Sequence, residues 1–147
     1  MSGDALMDAL RRHEGVWEGT YRHLDLDGHE IDRHGSRVEC LFPGDGDVVY
    51  VQRNTFTWPD GRVERLAFDG RRDGERIVWD NERFRGHAWV AGGDVILLEL
   101  GRRDEPDTTF TEIIVLKDGA EKRMRTWHWF RRGVPIRRTL CDERRVQ

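Results

Sequence analysis

Residues 123–140 read RMRTWHWFRRGVPIRRTL, with six arginines and three large aromatics in eighteen positions. As one continuous surface the stretch would suit nucleic acid. As two strands joined at Arg132-Gly133 it is the wall of something closed. Successive side chains of a strand point to opposite faces, so Arg125, Trp127 and Trp129 fall on one side and Met124, Thr126 and His128 on the other. The arginines are then divided between two faces and a hairpin tip, with Arg131 and Arg132 at the tip.

The same punctuation runs through the chain. Asp27-Gly28, Asp45-Gly46, Asp60-Gly61, Asp73-Gly74, Gly92-Gly93 and Asp118-Gly119 are pairs that tolerate the positive φ angles of tight hairpin turns. Turns around Asn81-Glu82, at Arg103 to Asp107 and at Arg132-Gly133 bring the connections to nine, which implies about ten strands. The segments between them, such as VVYVQRNTFTW, DVILLEL and TTFTEIIVL, are rich in β-branched and aromatic residues. None leaves room for a parallel crossover, which needs about a dozen residues or more.

The sequence therefore predicts an all-β fold, an antiparallel up-and-down meander. Closure into a barrel removes its exposed edges. One short helix is expected at 4–13 (DALMDALRRH), with Leu6, Met7 and Leu10 on one stripe, and the barrel over 16–144. At 147 residues the chain has the size of one domain, 1–147.

Composition excludes several functions. There are 25 Lys+Arg against 28 Asp+Glu, so the chain as a whole is not the cationic footprint of a phosphate-backbone binder. No apolar run of about 18 residues and no basic-start signal segment is present, which predicts a cytoplasmic protein without a membrane partner. Cys40 and Cys141, far apart and without CxxC spacing, read as free thiols. The absence of GxGxxG, phosphate-loop and GxSxG patterns argues against nucleotide-dependent and nucleophile-elbow chemistry. No cofactor and no metal is expected.

Tight turns fix register, so the inner face can be proposed. Two-residue loops at 118–119 and 132–133 place Glu112 opposite Arg125, Phe110 opposite Trp127, Trp127 opposite Arg138 and Trp129 opposite Ile136. The turn at 73–74 places Phe68 opposite Trp79, with Glu64 and Leu66 on the same face. The turn at 92–93 places Trp89 opposite Ile96 and His87 opposite Leu98. A turn one residue longer reverses such an assignment.

The expected interior thus collects Phe68, Trp79, Trp89, Phe110, Trp127 and Trp129 around Glu64, His87, Glu112, Arg125 and Arg138. A mostly aromatic cavity with a few convergent polar groups suits a small molecule. The expected ligand is apolar or aromatic, its acidic or carbonyl end held by Arg125 and Arg138, since arginine binds carboxylates bidentately. The alternative is a cofactor-independent lyase, cyclase or isomerase that uses Glu112, His87 or Glu64 as acid/base in the same cavity. His23, His29 and His34 lie along the first hairpin, with His34 opposite Tyr21 and His23 opposite Asp32. They match no standard metal-ligand spacing and are expected on a solvated hairpin. The barrel exterior is compatible with a homodimer.

GVWEGTY, Gly15 to Tyr21, resembles the first-strand signature of calycin-type barrels, the superfamily of lipocalins and fatty-acid-binding proteins. With RVECLF, EIIVL, RMRTWHWFRRG and TLCDERRV, the chain resembles a bacterial calycin-like family of uncharacterised barrels, similar in outline to bilin lyases. The lipocalin likeness implies that Trp17 closes the barrel base and that an arginine near the end of the last strand, Arg138 or Arg125, packs across it. Some related ten-strand barrels hold a heme through one histidine, which stands as the alternative to a cofactor-free barrel.

Overall fold

The computed structural model describes residues 4–147, the side chain of Asp118 excepted. After a helix α1 (Ala5–Arg11), ten strands follow in order: β1 (Gly15–Leu24), β2 (Glu30–Leu41), β3 (Val48–Thr57), β4 (Val63–Asp73) and β5 (Arg76–Asp80), then β6 (Phe84–Val90), β7 (Ile96–Arg102), β8 (Thr108–Leu116), β9 (Lys122–Arg131) and β10 (Val134–Arg145). Each pairs antiparallel with its sequence neighbours, and β1 pairs with β10 to close the barrel. The turn glycines Gly28, Gly46, Gly61, Gly74, Gly119 and Gly133 all have positive φ, between 62° and 92°, as their turns require. The meander and its nine connections fall where the turn residues put them.

Because the strands alternate in direction, the β1–β2, β3–β4, β5–β6, β7–β8 and β9–β10 turns lie at one end, the mouth. The other turns and α1 lie at the base. Helix α1 is shorter than the stretch 4–13: Asp4 caps its start by accepting from the Met7 N–H (3.2 Å), and Arg12 is already its C-cap. Its buried Leu6, Met7 and Leu10 join Trp17, Val38, Ile77 and Ile96 in the basal core.

Trp17 is fully buried, and its indole N–H donates to the His13 carbonyl at 2.9 Å. Two guanidiniums lie over its ring, Arg123 at 4.7 Å and Arg145 at 4.4 Å. These replace Arg138 and Arg125 as the arginines across the floor. The reason is register: Arg145 stands directly opposite Trp17 on the β1–β10 ladder.

Four hairpins depart from the expected pairing, and the size of each slip decides its effect. On β4–β5 the loop is Gly74-Glu75, so Asp73 pairs with Arg76; the shift is two residues and Trp79 stays inside. On β8–β9 a short 3-10 turn, Asp118–Ala120, lengthens the connection and sets Glu112 opposite Trp127, again a shift of two. On β6–β7 the shift is one: Trp89 pairs with Leu97 and His87 with Glu99, so Phe84 and Ala88 point inward and His87 and Trp89 outward. On β9–β10 the turn is as expected, with Val134 opposite Arg131, but a bulge at Ile136 puts Arg137 opposite Trp129 and Thr139 opposite Trp127. Past an extra residue every side chain changes face, and Arg138 is therefore exposed on the outer surface.

Candidate functional site

A cavity of about 450 Å³ occupies the mouth half of the barrel. Nine aromatic side chains line it: Tyr21, Phe56, Trp58, Phe68, Trp79, Phe84, Phe110, Trp127 and Trp129. They pack on one another, with ring centroids 4.6 Å apart for Phe68 and Phe84, 4.7 Å for Phe110 and Trp129, and 5.2 Å for Tyr21 and Trp127. The volume lies in the range that holds drug-sized ligands.

Of the residues expected at the site, Glu64, Phe68, Trp79, Phe110, Glu112, Arg125, Trp127 and Trp129 line this cavity. His87, Trp89 and Arg138 do not. His87 and Trp89 stack on the outer surface at 5.2 Å, with His87 reaching Glu99 at 4.0 Å.

Below the cavity the charges form a closed group. Arg125 donates to Glu112 at 2.7 Å and to Glu143 at 3.4 Å, while Arg123 donates to the other Glu143 oxygen and lies 3.3 Å from His13 Nδ1. All five side chains are buried. Two arginines against two glutamates leave no net charge, the condition under which buried ions persist. Burial alone would raise the Glu143 carboxyl; the facing Arg123 and Arg125 outweigh it and hold it below the usual range. Burial, aided by the same guanidiniums, pushes His13 down to about 3 and keeps its ring neutral. The Arg125 guanidinium also lies over Tyr21 (5.3 Å) and Trp127 (5.0 Å).

Sequence reasoning missed Glu143, which completes this group. Its signal was present: Cys141 and Glu143 alternate on one face of TLCDERRV, but the bulge hides which face is inner. Gly19 of the GVWEGTY stretch admits it, because a Cβ there would lie 2.8 Å from Glu143 Cγ.

The mouth carries three more arginines. Arg83 lies 3.4 Å from Glu64, Arg102 lies 2.6 Å from Asp104, and Arg137 lies 3.0 Å from Glu105. Arg137 and Arg102 also lie over the Trp129 ring, at 4.2 and 5.6 Å.

The first hairpin pairs as expected, His34 opposite Tyr21 and His23 opposite Asp32, yet only part of it is solvated. His34 is 5% exposed and sits among Tyr21, Phe56 and Trp58, with ring centroids 5.0, 5.0 and 4.3 Å away. Its Nδ1 is 2.8 Å from Asp32 Oδ2, and Trp58 Nε1–H donates to Asp32 Oδ1 at 3.0 Å. His23 Nδ1 is 2.7 Å from Thr139 Oγ1, which also accepts from Trp129 Nε1–H at 2.8 Å. Burial, with the neighbouring His34, lowers His23 to about 4. Burial opposes ionisation of Asp32, but hydrogen bonds from His34 and Trp58 prevail and lower its carboxyl. His29 alone fits the expected solvated hairpin. The polar look of the hairpin concealed that its inner parity carries both other histidines.

No protein-family model and no curated protein sequence matches the chain. Solved structures do. An S-type phycobiliprotein lyase from Guillardia theta superposes with a TM-score of 0.73 at 11% identity, over 97% of this chain and 93% of that one. Rv2717c from M. tuberculosis gives 0.64 at 14% identity, over 97% and 98%. A protein of unknown function of the DUF3598 family from Nostoc punctiforme gives 0.67 at 14% identity; this chain spans 48% of its length. At such identities the likeness establishes the fold, a calycin-like ten-strand barrel.

Proposed function

We propose that this barrel binds one small molecule with an apolar, largely aromatic body. The observation that carries the reading is the cavity itself: about 450 Å³ lined by nine aromatic side chains, above a charge group that is already neutral. Glu112 and Glu143 already balance Arg125 and Arg123, so an acidic end on the ligand is better served at the mouth, by Arg137, Arg102 and Arg83. These three are partly exposed, and their carboxylate partners lie at the solvent edge; the single contact of Arg83 with Glu64 yields at small cost, since exposed ion pairs contribute at most about 1 kcal/mol.

Four of the six tryptophans line the cavity. Titration with a panel of aromatic and aliphatic carboxylates, followed by tryptophan fluorescence, tests the reading. Saturable quenching by flat aromatic acids is expected. Failure of every apolar or aromatic compound to perturb the emission would overturn it.

A second reading rests on Glu64, a carboxylate that faces the cavity beside Arg83. A cofactor-independent lyase, cyclase or isomerase could use it for proton transfer, with a mouth arginine opposite developing negative charge. The phycobiliprotein lyase from Guillardia theta shares the fold, and at 11% identity lends no substrate. His87 is outside and Glu112 is engaged by Arg125, which leaves this reading less to work with than binding. Glu64→Gln separates the two: a carrier keeps its function, whereas an enzyme binds and no longer turns over.

A further inference from the structure

We propose that His23, Asp32 and His34 form a site for one divalent transition-metal ion that favours nitrogen and oxygen ligands, such as zinc or cobalt, on the cavity wall at the mouth. The site stands apart from the binding reading above and holds whether or not the cavity takes an organic ligand.

The donor atoms are already gathered. Asp32 Oδ2 lies 2.8 Å from His34 Nδ1 and 3.9 Å from His23 Nε2, and one donor atom from each residue falls within 4.8 Å of the other two. Donors about 2.0 to 2.2 Å from a tetrahedral ion sit about 3.3 to 3.6 Å from one another, so small side-chain rotations convert the one arrangement into the other. Two histidines and one carboxylate leave at least one position of the ion open toward the cavity.

Metal ligands are held by outer partners that fix their orientation and tautomer; hydrogen bonds supply such partners to Asp32 and His23, and ring packing orients His34. Trp58 holds the second Asp32 oxygen, and Thr139, itself anchored by Trp129, holds His23 Nδ1 so that Nε2 faces Asp32. Tyr21, Phe56 and Trp58 fix the plane of His34. Arg137, whose charge reaches His23, is countered by Glu105 at 3.0 Å.

The other set gathered among the described residues, Asp25, Asp27 and His29, serves as the control. It is largely exposed, and Asp25 Oδ1 there already accepts the backbone N–H groups of Asp27 and His29.

Zinc titrated calorimetrically into the full chain, with cobalt followed by its visible absorption, tests the assignment. One ion per chain is expected, with a Kd of about 10 μM or tighter. His23→Ala and Asp32→Asn should each weaken binding at least about tenfold, and His29→Ala should not. On the unsubstituted chain, zinc should shift the imidazole proton resonances of His23 and His34 and leave those of His29 and His87 in place, a readout independent of how any variant folds. Absence of saturable binding below about 100 μM, affinity unchanged in both site variants, or a loss confined to His29→Ala would each overturn the site.

Discussion

Glu112 is 3% exposed and bonded to Arg125. Glu112→Gln removes the charge that faces Arg125 and leaves Glu143, at 3.4 Å, as the carboxylate opposite it, and breaking a buried ion pair costs about 3 kcal/mol or more. Urea denaturation should show that loss, while Glu64→Gln at the mouth should cost under about 1 kcal/mol.

Two histidines set a pH dependence. His13 and His23 titrate near 3 and 4 in the folded chain, against 6.5 ordinarily, so between pH 6.5 and 4 the unfolded chain binds protons that the folded chain refuses. Stability is therefore full above pH 6.5 and falls as the pH drops through that window, by up to about 1.4 kcal/mol per pH unit for each histidine. Urea midpoints at pH 7.5, 6 and 5 measure the fall. In His13→Asn the slope should be about half as steep.

On the scale of elements, the bulge at Ile136 governs what β10 presents to the interior. It brings Arg137, Thr139, Cys141 and Glu143 inside and sends Arg138 out. Arg138→Ala should therefore change stability by less than about 0.5 kcal/mol and leave ligand binding untouched. Arg137→Ala should weaken an acidic ligand about tenfold, the equivalent of 1.4 kcal/mol. Thiol labelling reports the same faces: Arg138→Cys should react at once, whereas Cys141, buried and with its thiol pushed up by that burial, should react only on unfolding.

The hairpins also show what a sequence can and cannot disclose. Turn residues located all ten strands, because Gly at positive φ, following Asp in most of these turns, is a local requirement. Facing is cumulative, since a slip of two residues preserves it and a slip of one inverts it. Phe68, Trp79, Phe110, Glu112, Arg125, Trp127 and Trp129 kept their face, while Trp89 and His87 lost theirs to a one-residue offset and Arg138 to a bulge that nothing in GVPIRRTL announces. Glu143 and His34 were legible as residues on alternating strands, but their burial depends on partners brought from distant strands.

At the scale of the whole molecule, the barrel divides into a sealed base and a receptive mouth. The base is plugged by α1 and by Trp17 between two guanidiniums. No helix among the described residues is long and apolar enough to cross a membrane. The arginines that opened the question do not form one surface: Arg123 and Arg125 are internal, Arg137 is at the mouth, Arg131 and Arg132 cap a hairpin, and Arg138 points outward.

A small molecule seated in the mouth cavity would meet Leu66 and Leu98 on its wall. The decisive measurement compares the affinity of the best-quenching aromatic acid for the natural chain and for the Leu66→Trp/Leu98→Trp double variant, in which both leucines become bulkier. Saturable one-to-one binding that weakens at least about tenfold in the filled variant is expected. Equal affinity in both proteins would place the ligand outside the cavity.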